Sequence, residues 1–459
     1  MKRRLWAFLL AALCLLPQLT GCAPAGRPSS ENPVTLTIWH VYGSQTKSPF
    51  NTAIYEFNNT VGKMEGITVN VVSVTSSSAI DKALAASVNG EPGAEELPDL
   101  FTAYPRVAQI VGTERLLAWD QYFSQQELSA FKQEYLQEGY FDARLLMLPV
   151  AKSTEALYLN ETLFAAFSAQ TGVSTEQLQS YEGLFDAANR YFDWSGGKNF
   201  IQLNDFYHYA LLGTTVHGGQ FVRNGELQLN DPAFRTVWTP LARAAIYGGI
   251  CLDEGYAASR WKTVEIISNV GSTADILYQP EQVIYPDNTT QTIEIISMPY
   301  PVFTEDTPVA IHRGGGLFAI RSDDERKNYA AAAFAKWLTE QEHNLSFVTQ
   351  AGYLPVTDAA FDRLLENPEL VEKENYRQLY ENAGRMMREY SLYALPVFDG
   401  ASNAQSFFEE SVKLVLKTAH NQYITRVENG EDPETVLHEL TDTSFAALQQ
   451  SFYGAGAKQ

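Results

Sequence analysis

The chain has 459 residues, with 33 Lys plus Arg against 54 Asp plus Glu, a formal net charge of −21, and 45% hydrophobic and 12% aromatic residues. So acidic a chain argues against nucleic acid and anionic lipid surfaces as partners, since both demand clustered positive charge. Length and apolar content suffice for two or three domains with ordinary cores, and three cysteines provide neither a disulfide framework nor a Cys-based metal site.

The first residues are MKRRLWAFLLAALCLLPQLTGCAPAG. Lys2, Arg3 and Arg4 make a basic start, and Leu5 to Leu16 an apolar run too short to cross a bilayer as a helix, which together read as an export signal. Leu19-Thr20-Gly21-Cys22 resembles the bacterial lipoprotein box, in which cleavage falls before the cysteine and its sulfur carries a diacylglycerol. On that reading residues 1–21 are a signal peptide, Cys22 is lipidated, and Cys251 is left alone. Residues 22–33, rich in Pro, Ser and Gly, read as a flexible tether.

Next, VTLTIWH alternates Val34, Leu36 and Ile38 with Thr35 and Thr37, a strand with one face in a core, ending at Trp39-His40. Ser48-Pro49 opens a helix in which Phe50, Ile54 and Phe57 recur at helical spacing. GITVNVVSV gives a second strand, AIDKALAASV a helix and LPDLFTAY a third strand. This order predicts an α/β fold with a parallel sheet and a ligand crevice beyond the carboxyl ends of its strands, where Trp39, His40, Tyr104 and Pro105 fall. RLLMLPVAKSTEALYLNETLF reads as a passage into a second body, followed by a helical, loop-rich region over 161–260. VEIISNVGSTADILYQ reads as strand, small-residue turn and helix, and HRGGGLFAI enters a strand through three glycines. Capping boxes are predicted at Ser322–Glu325 and Thr339–Glu342, and the tail after AGYLPVT is mostly helical.

The lipoprotein box, LTIWH, PDLFTAY, STEALYLNETLF, VGSTADI, RGGGLFAI and AAFAKWLTEQEHNLSFVTQAGYLPVT, in that order, resemble the extracellular solute-binding proteins of bacterial ABC importers. Within them the resemblance is to the branch that binds sugars and glycerol phosphates. It implies a two-lobed periplasmic-binding-protein-like fold of type II, with discontinuous lobes, a hinge and a central cleft. Residues 34–150 with 306–358 are then the N-terminal lobe, and 151–305 with 359–459 the C-terminal lobe. Such a protein is a monomer without catalytic residues, cofactor or metal. It is held to the extracellular face of the membrane by its lipid alone and delivers its solute to permease subunits served by an ATPase.

Carried over residue by residue, the resemblance puts Trp39 and His40 at the mouth of the first lobe, an indole face for a sugar ring beside an imidazole able to hydrogen-bond. Tyr104 joins that rim. Ser153 matches a hydroxyl facing the ligand, Phe200 a cleft aromatic, and Tyr353 the tyrosine at the last crossing. Ser272 combines a hydroxyl with an expected helix start, and Gly314 and Gly315 let backbone approach a solute closely. Phosphate-binding members carry an arginine in the stretch corresponding to LYALPVFDGASNAQSFFEE, where this chain has neither Arg nor Lys. Pro105 stands where an acidic residue is expected, TSSSAIDKAL lacks a tyrosine, and Gly197 replaces a second aromatic. A neutral sugar, oligosaccharide or polyol is therefore the expected solute. Glycerol-3-phosphate or a glycerophosphodiester, served by Arg106 or Arg313, is the alternative. A secreted glycan-processing hydrolase finds less support: Asp253-Glu254 and Asp323-Asp324 read as surface charge, and neither a G-x-S-x-G elbow nor an H-E-x-x-H motif occurs.

Overall fold

Two four-stranded sheets carry the architecture of the computed structural model, which describes residues 26–42, 48–74, 76–398 and 400–454. The export signal and Cys22 lie outside the described residues. The strands are β1 (Val34–His40), β2 (Ile67–Val74), β3 (Leu100–Ala103), β4 (Glu155–Asn160), β5 (Ile201–Leu203), β6 (Ser268–Ser272), β7 (Ile295–Pro299) and β8 (Gly316–Ala319). The first sheet has the order β8-β3-β1-β2, with β2 and β3 parallel to β1 and β8 antiparallel to β3. The second has the order β7-β4-β6-β5, with β4 antiparallel to both neighbours and β6 parallel to β5.

Helices cover both faces of the first sheet, which is why β1 exposes little but Thr35. On one face Leu36 and Ile38 pack with Phe50, Phe57, Phe334 and Trp337; on the other Trp39 packs with Ile80, Leu84, Phe101 and Phe318. Ser48 caps the helix Pro49–Asn59, accepting from the Asn51 amide, with Pro49 at its first position. The second sheet carries a larger core, extended by the helices Ala401–Glu428 and Pro433–Tyr453, whose Phe408 and Phe445 meet Phe234 of the helix Pro232–Tyr247.

The chain passes between the two bodies three times, and the passages run side by side. Lys152 and Leu354 exchange backbone hydrogen bonds of 3.2 and 2.6 Å, and Ser153 and Arg313 exchange bonds of 2.9 and 2.7 Å. The second passage occupies residues 312–315, several residues beyond the expected boundary at 306, because Val309–Ile311 pairs with Ser391–Tyr393 and is buried in the second core. The three glycines explain how a passage fits there. A Cβ on Gly315 would sit 2.0 Å from the Ala103 carbonyl oxygen, and Gly314 has φ +104°.

Three local expectations change. Residues 26–33 are not a loose tether: Pro28 is buried, and Ser29 and Asn32 close a turn against Gly66. The helix Glu325–Thr339 is capped by Asp324, with Ser322 bracing the Asp324 amide in place of a capping box. Thr339 donates to the Ala335 carbonyl inside its own helix, so it caps nothing downstream. No helix among the described residues is long and apolar enough to cross a membrane.

Candidate functional site

The carboxyl ends of β5 and β6 aim their following residues at the first lobe. Asn204 follows β5, while Ser272 ends β6 and caps a short 3-10 helix, Thr273–Tyr278, by accepting from the Ala274 amide. That helix delivers Asp275 and Tyr278. Asn204 donates to an Asp275 oxygen at 2.8 Å, and Gly271 leaves room for the pair, since a Cβ there would lie 2.3 Å from Asp275 Oδ2. Val41 and Ser76 of the first lobe face these groups across a hollow of about 520 Å³. Tyr256, Trp261, Asn269 and Gln279 complete its walls, and a second hollow of about 410 Å³ continues past Gln202 and Ser272 to Arg313. The cleft therefore lies between the lobes, where closure can shut it.

Its chemistry is aromatic and polar at once. Tyr256 is 82% exposed and Tyr278 47%, large rings left bare on a cleft wall. Around them, the Trp261 indole N–H, the Asn269 amide nitrogen, the Gln202 side-chain carbonyl and both polar ends of Gln279 are buried without a hydrogen-bond partner among the described residues. Buried polar atoms without partners are expensive, and groups that a ligand completes are the usual exception. Burial pushes the Asp275 carboxyl up to about 6, with Arg313 acting against that rise.

Lys262 lines the larger hollow, and the two arginines near the cleft are each paired with a carboxylate. Arg313 donates to Glu155 at 2.8 Å, and Glu155 also takes His208 Nδ1 at 2.8 Å. Burial alone would raise Glu155, but His208 and Arg313 outweigh it and hold the carboxyl below its usual range. Arg106 grips Asp81 through two bonds of 2.6 and 3.0 Å and lies over the Tyr104 ring. At the hinge Lys152, fully buried, bonds Glu138 at 3.1 Å and the Gly314 carbonyl at 2.8 Å.

Of the residues expected from sequence, Ser272 lines the cleft, and Tyr104 and Gly314 line a smaller chamber beside it with Arg313 and Tyr207. Tyr353 is half-buried, its ring edge-on to Tyr42 at 5.0 Å and 6.3 Å from Phe347. Ser153 is buried in the hinge. The others belong elsewhere. Trp39 is 3% exposed inside the first lobe, because a sheet covered on both faces turns its strand ends into core. His40 is fully buried, with Nε2 at 2.7 Å from Asn51 and Nδ1 accepting from the Tyr42 amide; burial pushes it down to about 4, so the ring is neutral. Phe200 is fully buried among Phe164, Phe167 and Tyr191. Gly315 lies against the Ala103 backbone, which leaves its α-carbon facing protein. Sequence reasoning missed Asn204, Tyr256, Asp275 and Tyr278, although the strand-end rule applied to the first lobe locates Asn204 and Asp275 in the second.

Comparison with known proteins agrees with this architecture. Among solved structures, UgpB from Mycobacterium tuberculosis in complex with glycerophosphocholine is similar, with a TM-score of 0.65 at 17% identity over 91% of this chain and 99% of that one. The cyclic alpha-maltosyl-1,6-maltose binding protein from Arthrobacter globiformis gives 0.61 at 18% over 91% and 100%. The substrate-binding protein Lmo0181 from Listeria monocytogenes, in complex with cycloalternan, gives 0.64 at 14% over 91% and 99%. No curated protein matches. At these identities the likeness shows the fold, a two-lobed periplasmic-binding-protein-like one. The family model for bacterial extracellular solute-binding proteins matches residues 52–377, most of the chain, and this protein belongs to that family.

Proposed function

We propose that this chain is the receptor of an ABC importer, lipidated at Cys22 and held on the extracellular face of the cell membrane, and that it captures a neutral carbohydrate between its lobes. The observation that supports this reading best is the pairing of bare aromatic rings, Tyr256 and Tyr278, with buried, partnerless donors and acceptors on Trp261, Asn269, Gln202 and Gln279. A sugar presents an apolar ring face and a rim of hydroxyls that both donate and accept, the chemistry these groups lack a partner for. Asp275 and Asn204 add a charged acceptor and an amide beside Tyr278. The mechanism is stoichiometric capture: solute settles on the C-terminal lobe, the passages at 152–153, 312–315 and 354 flex, and the first lobe closes over it. The closed receptor then presents both lobes to permease subunits as a monomer and releases the solute unchanged.

A phosphorylated polyol is the second reading, since one structure of the same fold is a complex with glycerophosphocholine. Against it, Arg106 and Arg313 are each tied to a carboxylate, and a phosphate would have to compete with Asp81 and Glu155 for them. Thermal unfolding of residues 23–459 against mono- and oligosaccharides, polyols, glycerol phosphates and glycerophosphodiesters separates the two. Ligand at about 100 times its Kd adds about 2.7 kcal/mol of stability. Stabilisation by a neutral sugar is the expected result; stabilisation by phosphates alone would replace the first reading with the second.

A further inference from the structure

Residues 26–32, expected to be loose, are moored to the first lobe. Pro28 is buried, and the Arg27 guanidinium lies 4.9 Å over the Tyr329 ring. Arg326 bonds the Asn32 side chain, and the Ser29 carbonyl fills the space a Cβ on Gly66 would need. Gly66 precedes β2 and Tyr329 lies in the first turns of the helix that follows β8, so the mooring is at the amino ends of the parallel strands. The cleft is at their carboxyl ends. We infer that, in the anchored receptor, the pole of the N-terminal lobe remote from the cleft is held close to the outer leaflet of the membrane by a leash of four residue steps, from Cys22 to Gly26.

This rests on the lipidation of Cys22 proposed above. Four steps of extended chain reach at most about 14 Å, whereas a tether loose as far as Val34 would reach about 42 Å. A body of this size has a radius of gyration of about 22 Å. The short leash is thus smaller than the body and keeps one pole down; the long one would let the receptor turn over. The lobe so held is the N-terminal one, which makes the C-terminal lobe, carrying Tyr256, Asp275 and Tyr278, the one that swings.

Energy transfer tests this on the full chain, expressed with its signal in a lipoprotein-processing bacterium and reconstituted into phosphatidylethanolamine–phosphatidylglycerol vesicles carrying a headgroup acceptor. On a Cys251→Ala background, single dyes are placed at Lys63→Cys, beside the mooring, and at Lys198→Cys, just before β5 at the far pole of the other lobe; both positions are exposed. Transfer at Lys63→Cys should exceed that at Lys198→Cys by about twofold or more, given a leash shorter than the body. Replacing residues 26–32 by a Gly/Ser stretch of equal length should erase the difference. Equal transfer at both positions in the native, vesicle-bound chain overturns the leash, as does a difference that survives the Gly/Ser replacement. Failure of the native chain to bind vesicles, or binding undiminished by Cys22→Ala, overturns the lipidation reading itself.

Discussion

Asp275 connects the cleft to pH. Its carboxyl is raised to about 6 by burial, above the ordinary 3.8. The sign follows: below pH 4 the group is protonated whether the chain is folded or not and costs nothing, and stability is lost as pH rises through 6. A fully buried group with that shift would cost about 3 kcal/mol; Asp275 is half-buried, so about 1–2 kcal/mol is expected. Urea titrations of Asp275→Asn should accordingly show a flatter dependence between pH 4 and 6 than the native chain. Solute affinity runs the other way, because the ionised form is the acceptor, and calorimetry at pH 5 should give weaker binding than at pH 7. A second contrast separates cleft from core. Tyr256→Ala should weaken affinity by about 1–3 kcal/mol with little change in stability, whereas Phe200→Ala or Trp39→Ala should cost about 3–5 kcal/mol of stability. Trp39 shows why the sequence misleads at this scale: in VTLTIWH the residue at the strand end is the same whether it faces solute or a covering helix, and only the packing of Ile80 and Leu84 decides.

Among the elements, the passages between lobes hold the most concentrated chemistry. Lys152 is fully buried on the first passage and is pinned to the Gly314 carbonyl of the second and to Glu138 of the N-terminal lobe. Burial would raise Glu138, yet His312 and Lys152 outweigh it and hold the carboxyl below its usual range. Lys152→Met leaves that carboxylate with His312 as its one partner among the described residues and should cost about 3 kcal/mol, while Lys152→Met combined with Glu138→Leu should recover part of the loss. Chemical unfolding of both variants checks the pair; equal losses would mean that the two charges are not coupled. The strands of the first lobe were legible because their alternation and their turn residues agree with the topology, β1, β2 and β3 each falling inside the stretch read as strand. Helix starts were legible where one residue suffices, as at Ser48-Pro49, and failed at Thr339, whose hydroxyl had a nearer partner in the Ala335 carbonyl. The passage at 312–315 was misplaced because the strand Val309–Ile311 pairs with Ser391–Tyr393, some 80 residues later, and no local pattern announces such a partner.

At the scale of the molecule, the order of short motifs carried the two-lobed fold, while the cleft's own contacts came from stretches with no periodicity to read. Tyr256 follows a turn at Asp253-Glu254-Gly255, and its ring becomes informative only when the other lobe is seen across from it. The same region places Cys251 on the wall of the hollow that reaches Arg313, 3% exposed and with its thiol pushed up by burial. Of the chain's three cysteines, Cys14 departs with the signal and Cys22 is acylated in the proposed mature receptor. That leaves a single titratable sulfur on the wall of the candidate cleft. A maleimide reagent should label the native receptor slowly and at one site, and saturating solute should slow it further as the lobes shut. Occupancy of the receptor could then be read in intact cells by mass spectrometry, with no engineered dye; labelling that ignores solute would show that the wall at Cys251 does not take part in closure.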